Sequence, residues 1–469
     1  MSAEREAAEE RLLEASLRSL LGRAPAAERR STRSSMWLVA ACVALGLGVV
    51  VASMCMQRGG DGGTNAPAQD PAPAPLPLPD EVQGDATTLP TLPADTQNLT
   101  ARLVEPGDLA LLRRFPQLRR LQLISDYRNR TKVLTGEADA LAAFVGMPAL
   151  EVLELHCDTA LRPEQLLPLR KLPNLRTLAF SGESGHSEEL GAALCALPAL
   201  SDLRLFGTVA DAAFLTALAP RPLQRLALNA CPGLDGDAWR ALGRLRQLDH
   251  LELTGLNGGT VGVAGKSGRL GQLDAAAFDA LDALPRLRAL LLDESEFDDT
   301  MLARLPARLE RLDLGDRPMR SALVPQALRR LGNLRDLTFG CGLDPEPAIE
   351  LLGALRLRRL DYRGKLLSPE LLRAIADQPD LIELSLKVQQ KKPIDYAVLA
   401  RAPRLESLRI LGAGTFSARF EHLPGIGELK PLRDCKALRR ICFVNCGLDL
   451  GAIGKELGPG IELRAVEYL

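Results

Sequence analysis

One six-residue motif, L-x-x-L-x-L, recurs along this chain and restricts its possible folds more than any other feature. Its first position is always leucine, and its fourth and sixth positions are Leu, Ile, Phe or Tyr. Most copies begin 22 to 25 residues after the previous one. The thirteen copies begin at Leu118, Leu150, Leu175, Leu200, Leu223, Leu248, Leu287, Leu309, Leu334, Leu357, Leu381, Leu405 and Leu438. Such regular spacing predicts a chain built from one repeated structural unit.

The motif is typical of a short β-strand. Successive side chains of a strand point to opposite faces, so the motif leucines enter one core and the residues between them face away. The rest of each repeat returns the chain to the next strand, usually as a helix. A single repeat buries too little apolar surface to offset the entropy of ordering its backbone. The repeats therefore have to stack on one another.

In motif and spacing the chain resembles the leucine-rich-repeat family, and the resemblance covers about four fifths of its length. It implies an α/β solenoid shaped as a curved horseshoe, with parallel strands on the concave face and helices or turns on the convex face. It also implies a protein ligand, because protein binding is the usual activity of this family. It does not choose the ligand, since one fold serves many functions.

A segment of 21 uncharged residues, 36–56, precedes the repeats. As a helix it spans about 30 Å, the thickness of the hydrocarbon core of a bilayer, so it predicts one transmembrane helix. Arg29, Arg30 and Arg33 precede it, whereas a largely acidic stretch follows. By the positive-inside rule we expect a single-pass membrane protein with a cytoplasmic N-terminus and a periplasmic or extracellular repeat domain.

Two other interpretations of this segment are a cleaved signal peptide and a lipoprotein signal. A signal peptide usually has a short basic region before its apolar run, whereas 35 residues precede this one, and no convincing cleavage site follows Ala52. Residues 39–42 resemble a lipoprotein cleavage box, but almost no hydrophobic run comes before them. An uncleaved anchor is therefore the preferred interpretation.

Composition sets the remaining domain boundaries. Residues 1–35 form a cytoplasmic amphipathic segment, which is either a docking helix for a partner or a simple lead-in to the membrane. Residues 57–95 are rich in Gly, Pro and Ala, which predicts a linker that begins flexible and continues as an extended polyproline II spacer. The leucine-rich-repeat domain is expected to occupy residues 96–469, with a cap before the first motif copy and a closing strand at 461–469.

Three spacings between motif copies are longer than the others, and the extra residues must loop out of the stack. They are 32, 39 and 33 residues long and follow the first, sixth and twelfth copies. The second insertion, around residues 257–271, is rich in glycine, and the third, around 412–427, carries Phe416 and Phe420. Long insertions are often functional, and exposed aromatic side chains are favoured in binding hot spots. The alternative is a tolerated insertion in a drifting repeat.

The motif also assigns the strand residues that face away from the core, and these carry charges of both signs. From Arg359 onward basic residues outnumber acidic ones by five to two, so an anionic partner is favoured at that end. A nucleic-acid groove needs a sustained basic stripe or stacking rings, so nucleic acid is not expected as a partner. The alternative is a solvated face without a ligand. The candidate partner-binding residues are Arg204, Phe206, Arg225, Glu252, Arg311, Asp313, Arg359, Asp361, Arg363, Lys387, Arg409, Phe416 and Phe420.

Residues that would carry catalysis are scarce. The four histidines are each isolated from a Ser, Cys or Asp set with the spacing of a catalytic triad. Residues 258–267 superficially echo a phosphate-binding loop, but Thr260 occupies the position of its first glycine. We therefore predict a protein that is not an enzyme, with no cofactor, no metal site and no evident small-molecule substrate.

The nine cysteines bear on the compartment. Cys231 and Cys446 fall where the resemblance to the repeat family places Asn or Cys to complete a turn, so we predict that they are structural. Cys435, Cys442 and Cys446 match no zinc-binding spacing. Seven cysteines follow the apolar segment, and an odd number of thiols fits poorly with an oxidising exterior. The cysteines are thus the main observation against the predicted topology.

The bulk properties of the chain complete the prediction. A net charge of −1 over 469 residues gives no general attraction to nucleic acid, and the bias toward Ala, Leu, Arg and Gly resembles that of a GC-rich bacterial genome. The sequence thus predicts a membrane-tethered, non-catalytic protein-binding platform. The alternative is a structural or adhesive cell-envelope protein without a signalling role.

Overall fold

The structure is a computed structural model that describes most of the chain after residue 81. The described residues are 82–103, 105–124, 134, 140–156, 160–182, 186–258, 260–263, 266–315, 323–340, 343–364, 367–387, 393–412, 425–444, 446 and 448–466. The predicted cytoplasmic segment, the predicted membrane helix and residues 57–81 of the predicted linker lie outside them. Within these ranges, no helix combines the length and the apolar character that crossing a bilayer requires.

Sixteen parallel strands of the described chain form one sheet, and they are ordered in it as they are in the sequence. All thirteen motif copies coincide with strands, β3 to β8 and β11 to β17, which confirms the predicted stack of parallel strands. The architecture is consistent with a leucine-rich-repeat solenoid. The sheet comprises β1 Val82–Asp85, β2 Asn98–Arg102, β3 Arg120–Ile124, β4 Val152–His156, β5 Thr177–Phe180, β6 Asp202–Phe206, β7 Arg225–Asn229, β8 His250–Thr254, β11 Ala289–Leu291, β12 Arg311–Asp313, β13 Asp336–Gly340, β14 Arg359–Arg363, β15 Glu383–Lys387, β16 Ser407–Leu411, β17 Arg440–Val444 and β18 Glu462–Val466.

Short helices return the chain between strands. Several begin at an aspartate whose carboxylate accepts hydrogen bonds from free N–H groups of the first turn, as Asp235 does from Ala238 N at 2.9 Å. The α-helices are α1 Pro163–Leu166, α2 Ser187–Cys195, α3 Ala212–Leu218, α4 Gly236–Leu242, α5 Ala275–Asp282, α6 Val324–Arg329, α7 Pro345–Ala354, α8 Pro369–Ala376, α9 Ile426–Leu429 and α10 Leu450–Leu457. Tighter 3-10 helices cover Leu89–Thr91, Pro106–Arg114, Ala140–Gly146, Leu167–Lys171, Asp299–Arg304, Tyr396–Arg401 and Lys430–Asp434.

The motif leucines and the inner faces of the helices form one continuous core. Leu153, Leu178 and Leu203 occupy the fourth position of successive motif copies, pair in register across strands, and are fully buried. Helical side chains such as Phe214 and Trp239 close the core from the other side. Each repeat therefore buries its leucines with the help of its neighbours, as the physics of the motif predicts.

Small polar side chains complete the turns that follow the strands. The Cys231 thiol is fully buried and donates to the Leu205 carbonyl oxygen at 3.6 Å. Cys446 donates to the Ile410 carbonyl oxygen at 3.5 Å. Burial raises the pKa of Cys231 to about 12, so its thiol stays protonated. The structural role predicted for these two cysteines is confirmed.

The ends of the sheet and one insertion differ from the sequence expectations. The sheet begins at β1, within residues 57–95 that composition assigns to a linker, and β2 also precedes the first motif copy. The glycine-rich insertion contains an antiparallel hairpin, β9 Thr260–Val263 and β10 Lys266–Arg269, which the sequence analysis did not predict. Because the long insertions follow β3, β8 and β16, all three start at the carboxyl edge of the parallel sheet.

Candidate functional site: the polar face of the sheet

The polar face is defined here as the sheet face that carries the third, fifth and seventh positions, counted from the first leucine of each motif copy. The strand register aligns these positions in rows across the sheet. Phe416 and Phe420 lie outside the described residues. The other eleven predicted partner-binding residues are on this face: Arg204, Phe206, Arg225, Glu252, Arg311, Asp313, Arg359, Asp361, Arg363, Lys387 and Arg409.

A buried carboxylate, Glu154 of β4, links strands on both sides of it. Arg120 of β3 lies 3.1 Å from Oε2 of Glu154, and Arg204 of β6 lies 3.4 Å from Oε1. Arg204 reaches across β5 because the residue between the two in the register is the small Ala179. Asp202 binds the same guanidinium at 3.1 Å. Arg120, Glu154, Asp202 and Arg204 are called the Glu154 network below.

The negative charge on Glu154 persists despite its burial. Its side chain is only 2% exposed, and burial by itself favours the neutral acid. His156, Arg120 and Arg204 outweigh that effect and lower the pKa of Glu154 to about 2. His156 Nε2 lies 3.9 Å from Glu154 Oε2. Its ring contacts Phe206, with centroids 5.5 Å apart. The network therefore holds these side chains in place before any partner binds.

A second set of charges surrounds Arg363 of β14. Arg363 lies 3.0 Å from Asp361 of the same strand and 3.5 Å from Asp293, which follows β11. Gly315, just after β12, and Gly340 of β13 leave room for this contact. A Cβ on Gly315 would lie 1.6 Å from Asp293 Oδ1, and one on Gly340 would lie 2.9 Å from the Arg363 Cβ. Asp293, Asp313, Asp361 and Arg363 are called the Arg363 network below.

The Arg363 network contains more acid than base. Asp313 is 6% exposed and accepts a hydrogen bond from Gly315 N at 2.9 Å. Burial raises the pKa of Asp313, Arg363 opposes that rise, and the neighbouring Asp293 and Asp361 add to it. The network therefore sets three carboxylates against one guanidinium.

The basic excess counted along the chain from Arg359 is reduced by pairing across strands. Arg359 lies 3.3 Å from Glu383 and 3.9 Å from Asp336, and Arg363 is paired as described above. Asp336 precedes the counted stretch, so counting along the sequence leaves it out. Arg409 makes no side-chain hydrogen bond or ion pair with the residues that the structure describes. Of the arginines discussed at this end, Arg409 is therefore the one whose guanidinium an anionic partner could bind without breaking an ion pair.

The strands between the two networks carry side chains with few partners. Arg225 of β7 is exposed. Neither its side chain nor those of His250 and Glu252 on β8 makes a hydrogen bond or ion pair with another described residue. Burial, and then the charges of Arg225, Arg311 and Arg204, lower the pKa of His250 to about 3. Burial raises the pKa of Glu252 to about 7 against the opposing charge of Arg204. This region holds polar groups that are available to a ligand.

Catalytic chemistry is sparse in the part of the chain that the structure describes. No group of three or more His, Cys, Asp and Glu residues there is arranged to hold a metal ion. A cleft of about 480 Å³ is lined by residues of α5 and of the segments that follow it, and its Asp279 and Arg304 pair with each other at 2.8 Å. Its lining contains no Ser, Thr or Cys that would act as a nucleophile.

Sequence reasoning did not select several residues that organise the polar face. Glu154 and His250 stand at outward-facing positions of the motif but are not among the candidate residues, and neither is Asp293. Asp293 occupies the seventh position of the motif copy that begins at Leu287, so the motif itself was the signal that would have found it. The role of Gly315 had no such signal, because it depends on which side chains meet across the sheet.

Comparisons with known proteins add little to this description. No protein-family model and no curated protein matches the sequence. Among solved structures, the chain is similar to one described as the crystal structure of a TLR13–ssRNA13 complex, with 18% sequence identity and a TM-score of 0.36. The match covers 79% of this chain and 57% of that one. At this level of similarity, the RNA of that complex says nothing about the partner of this chain.

Proposed function

We propose that this chain is a membrane-tethered platform that binds a protein partner on the polar face of its sheet. The observation that supports the proposal most directly is the gathering of eleven predicted partner-binding residues on that face, where two ion networks fix several of them. Charged groups held in place before binding lose little entropy when a partner arrives, which favours specific association. Interspersed charge of both signs is also typical of protein-binding surfaces.

The proposed platform has no catalytic role, and its N-terminal segment is cytoplasmic while the repeats are periplasmic or extracellular. The uncharged residues 36–56 and the arginines before them support this topology. The biased composition favours a bacterial source. A structural or adhesive role in the cell envelope is the second candidate, and it differs by requiring no cytoplasmic partner for residues 1–35.

Site-specific photocrosslinking tests the binding face. A photoreactive residue replaces Ala227 or Ala289, two partly buried alanines of the polar face, in cells that express the chain. The matched control places the same residue at Asp237, which is 64% exposed on α4. We expect a protein adduct from the two polar-face positions and none from the control. Adducts that form equally at Asp237, or at none of the three positions, would contradict the proposal.

Reporter fusions test the membrane topology. Alkaline phosphatase and, separately, green fluorescent protein are fused after Leu469. We expect an active phosphatase and a dark fluorescent fusion, because phosphatase folds in the oxidising exterior and green fluorescent protein does not fluoresce there. The opposite pattern would place the repeats in the cytoplasm and would agree with the odd number of cysteines. Deleting residues 1–35 then separates the candidates, since only the platform with a cytoplasmic partner loses an interaction.

A further inference from the structure

We propose that the middle of the polar face binds an acidic segment of the protein partner, with its carboxylates on Arg225, His250 and Arg311. This inference rests on the proposed function, because it names the chemistry of the partner that the platform binds. It concerns one row of the polar face, the third position of each motif copy. The row is continuous across β7, β8, β11 and β12.

The charges along this row are arranged in a block. Four successive strands place Arg225, His250, Ala289 and Arg311 next to one another. The row contains no carboxylate between Asp202, on the β6 side, and Asp336, on the β13 side. Those two are already engaged, Asp202 with Arg204 at 3.1 Å and Asp336 with Arg359 at 3.9 Å. The block therefore holds no carboxylate within its own row, and neither Arg225 nor His250 makes a side-chain hydrogen bond or ion pair with another described residue.

Burial and the neighbouring guanidiniums both oppose a positive charge on His250. Burial and the guanidiniums of Arg225, Arg311 and Arg204 lower the pKa of its imidazole to about 3, so the ring is neutral at pH 6. β11 contributes the uncharged Ala289 at the adjacent position. The other charged groups nearby are Asp249 just before β8, Glu252 on β8 and Asp313 on β12. An incoming carboxylate would favour the imidazolium form that the guanidiniums now oppose.

The geometry favours an acidic peptide over a nucleic acid. Three strand spacings separate Arg225 from Arg311, roughly 14 Å at about 4.8 Å per spacing. An extended peptide covers that distance in about four residues, so acidic residues at i and i+4 reach both guanidiniums. The row carries two arginines about 14 Å apart rather than the sustained basic stripe that a nucleic acid needs. Two separate carboxylates need no such stripe.

The test uses the full-length chain with all histidines labelled with carbon-13 at Cε1, so that the four imidazoles give separate signals. His250→Gln assigns the His250 signal. The probe is a hexaglutamate peptide with blocked ends, and hexauridylate serves as the competing anion. At pH 6 we expect hexaglutamate to move the His250 signal toward its imidazolium position. Because Arg225→Gln removes one charge-assisted contact, we expect it to weaken peptide binding about tenfold, which corresponds to about 1.4 kcal/mol.

Arg409→Gln is the matched control, because Arg409 is also an unpaired arginine of the polar face but lies on β16. We expect it to change the affinity for hexaglutamate less than twofold. An unmoved His250 signal, an equal effect of Arg409→Gln, or tighter binding of hexauridylate would each overturn the inference. These outcomes leave the platform itself open to the crosslinking test. Adducts at Ala227 and Ala289 with no hexaglutamate binding would refute only the acidic partner, whereas missing adducts would refute the platform.

Discussion

The substitution Glu154→Gln is expected to lower the free energy of unfolding by about 3 kcal/mol at pH 7. The glutamine keeps the size of the side chain but removes the charge that faces Arg120 and Arg204. The pKa of Glu154 falls from 4.5 in an unfolded chain to about 2 in the fold. That difference corresponds to about 3 kcal/mol, at about 1.4 kcal/mol for each unit of pKa. Breaking a buried ion pair by removing one partner is destabilising by a similar amount.

The pH dependence of this effect follows from the direction of the pKa shift. Above pH 4.5 the carboxylate is charged in both the folded and unfolded states, so its full stabilisation is present. As the pH falls from 4.5 toward 2, the unfolded chain takes up a proton that folded Glu154 does not. The stabilisation is therefore lost over this range. Glutamine does not titrate, so the difference between the two proteins should narrow as the solution is acidified.

Urea unfolding followed by far-UV circular dichroism at pH 7, 5 and 3 measures this difference. Glu151→Gln is the matched control, because Glu151 forms an ion pair with Arg119 at 2.5 Å but is 34% exposed. Exposed pairs contribute about 1 kcal/mol or less, so the control should change little. Equal losses for the two variants at pH 7, or a difference for Glu154→Gln that stays constant to pH 3, would refute the role assigned to the Glu154 network.

Three further predictions concern other parts of the sheet. Gly315→Ala should lower the free energy of unfolding by about 2 kcal/mol or more, because φ is +59° and the new Cβ meets Asp293. The control Gly332→Ala has open space at its Cβ, so it should change the free energy of unfolding by less than about 0.5 kcal/mol in the same urea assay. Ellman's reagent should leave the buried Cys231 unmodified until urea unfolds the chain. Thiol titration of wild type and of Cys231→Ser measures this, because the two proteins differ by this one thiol. Modification of Cys231 in the native state would contradict its burial. Burial raises the pKa of Glu252 from 4.5 to about 7, so the stabilising contribution of its neutral acid is present below pH 4.5 and lost as the pH rises through 7. Glu252→Gln should therefore be more stable than wild type by about 1 kcal/mol at pH 8. A variant of equal stability at that pH would contradict the pKa shift.

The leucine motif predicted the strands well because the spacing of the leucines determines which side chains share a core. It missed β2 because Thr96 and Ala101 stand at the first and sixth positions of that copy, around a single Leu99. Both are buried nevertheless, at 8% and 0% exposure. The neighbouring repeat covers them, so their burial comes from stacking rather than from their own apolar character.

The candidate site was harder to predict because its charges pair across strands. Arg363 and Asp293 are 70 residues apart in the chain, and their contact needs Gly315 and Gly340 between them. Counting charges along the sequence therefore placed a basic surface at strands where Arg359 and Arg363 are largely paired. The outward positions were predictable from the motif, whereas the potential at each position depends on register and on the size of the intervening residue.

Both ion networks connect strands that are not neighbours, and this changes how the stack should open and close. In a solenoid held only by contacts between adjacent repeats, a terminal repeat peels away without affecting those further in. Glu154 ties β3 to β6, and the contact between Asp293 and Arg363 ties the end of β11 to β14. Each set of four strands is therefore expected to open as one cooperative unit. β7, β8 and the hairpin lie between these two sets of strands. Cooperative unfolding of either set is therefore expected to end at β7 and β8.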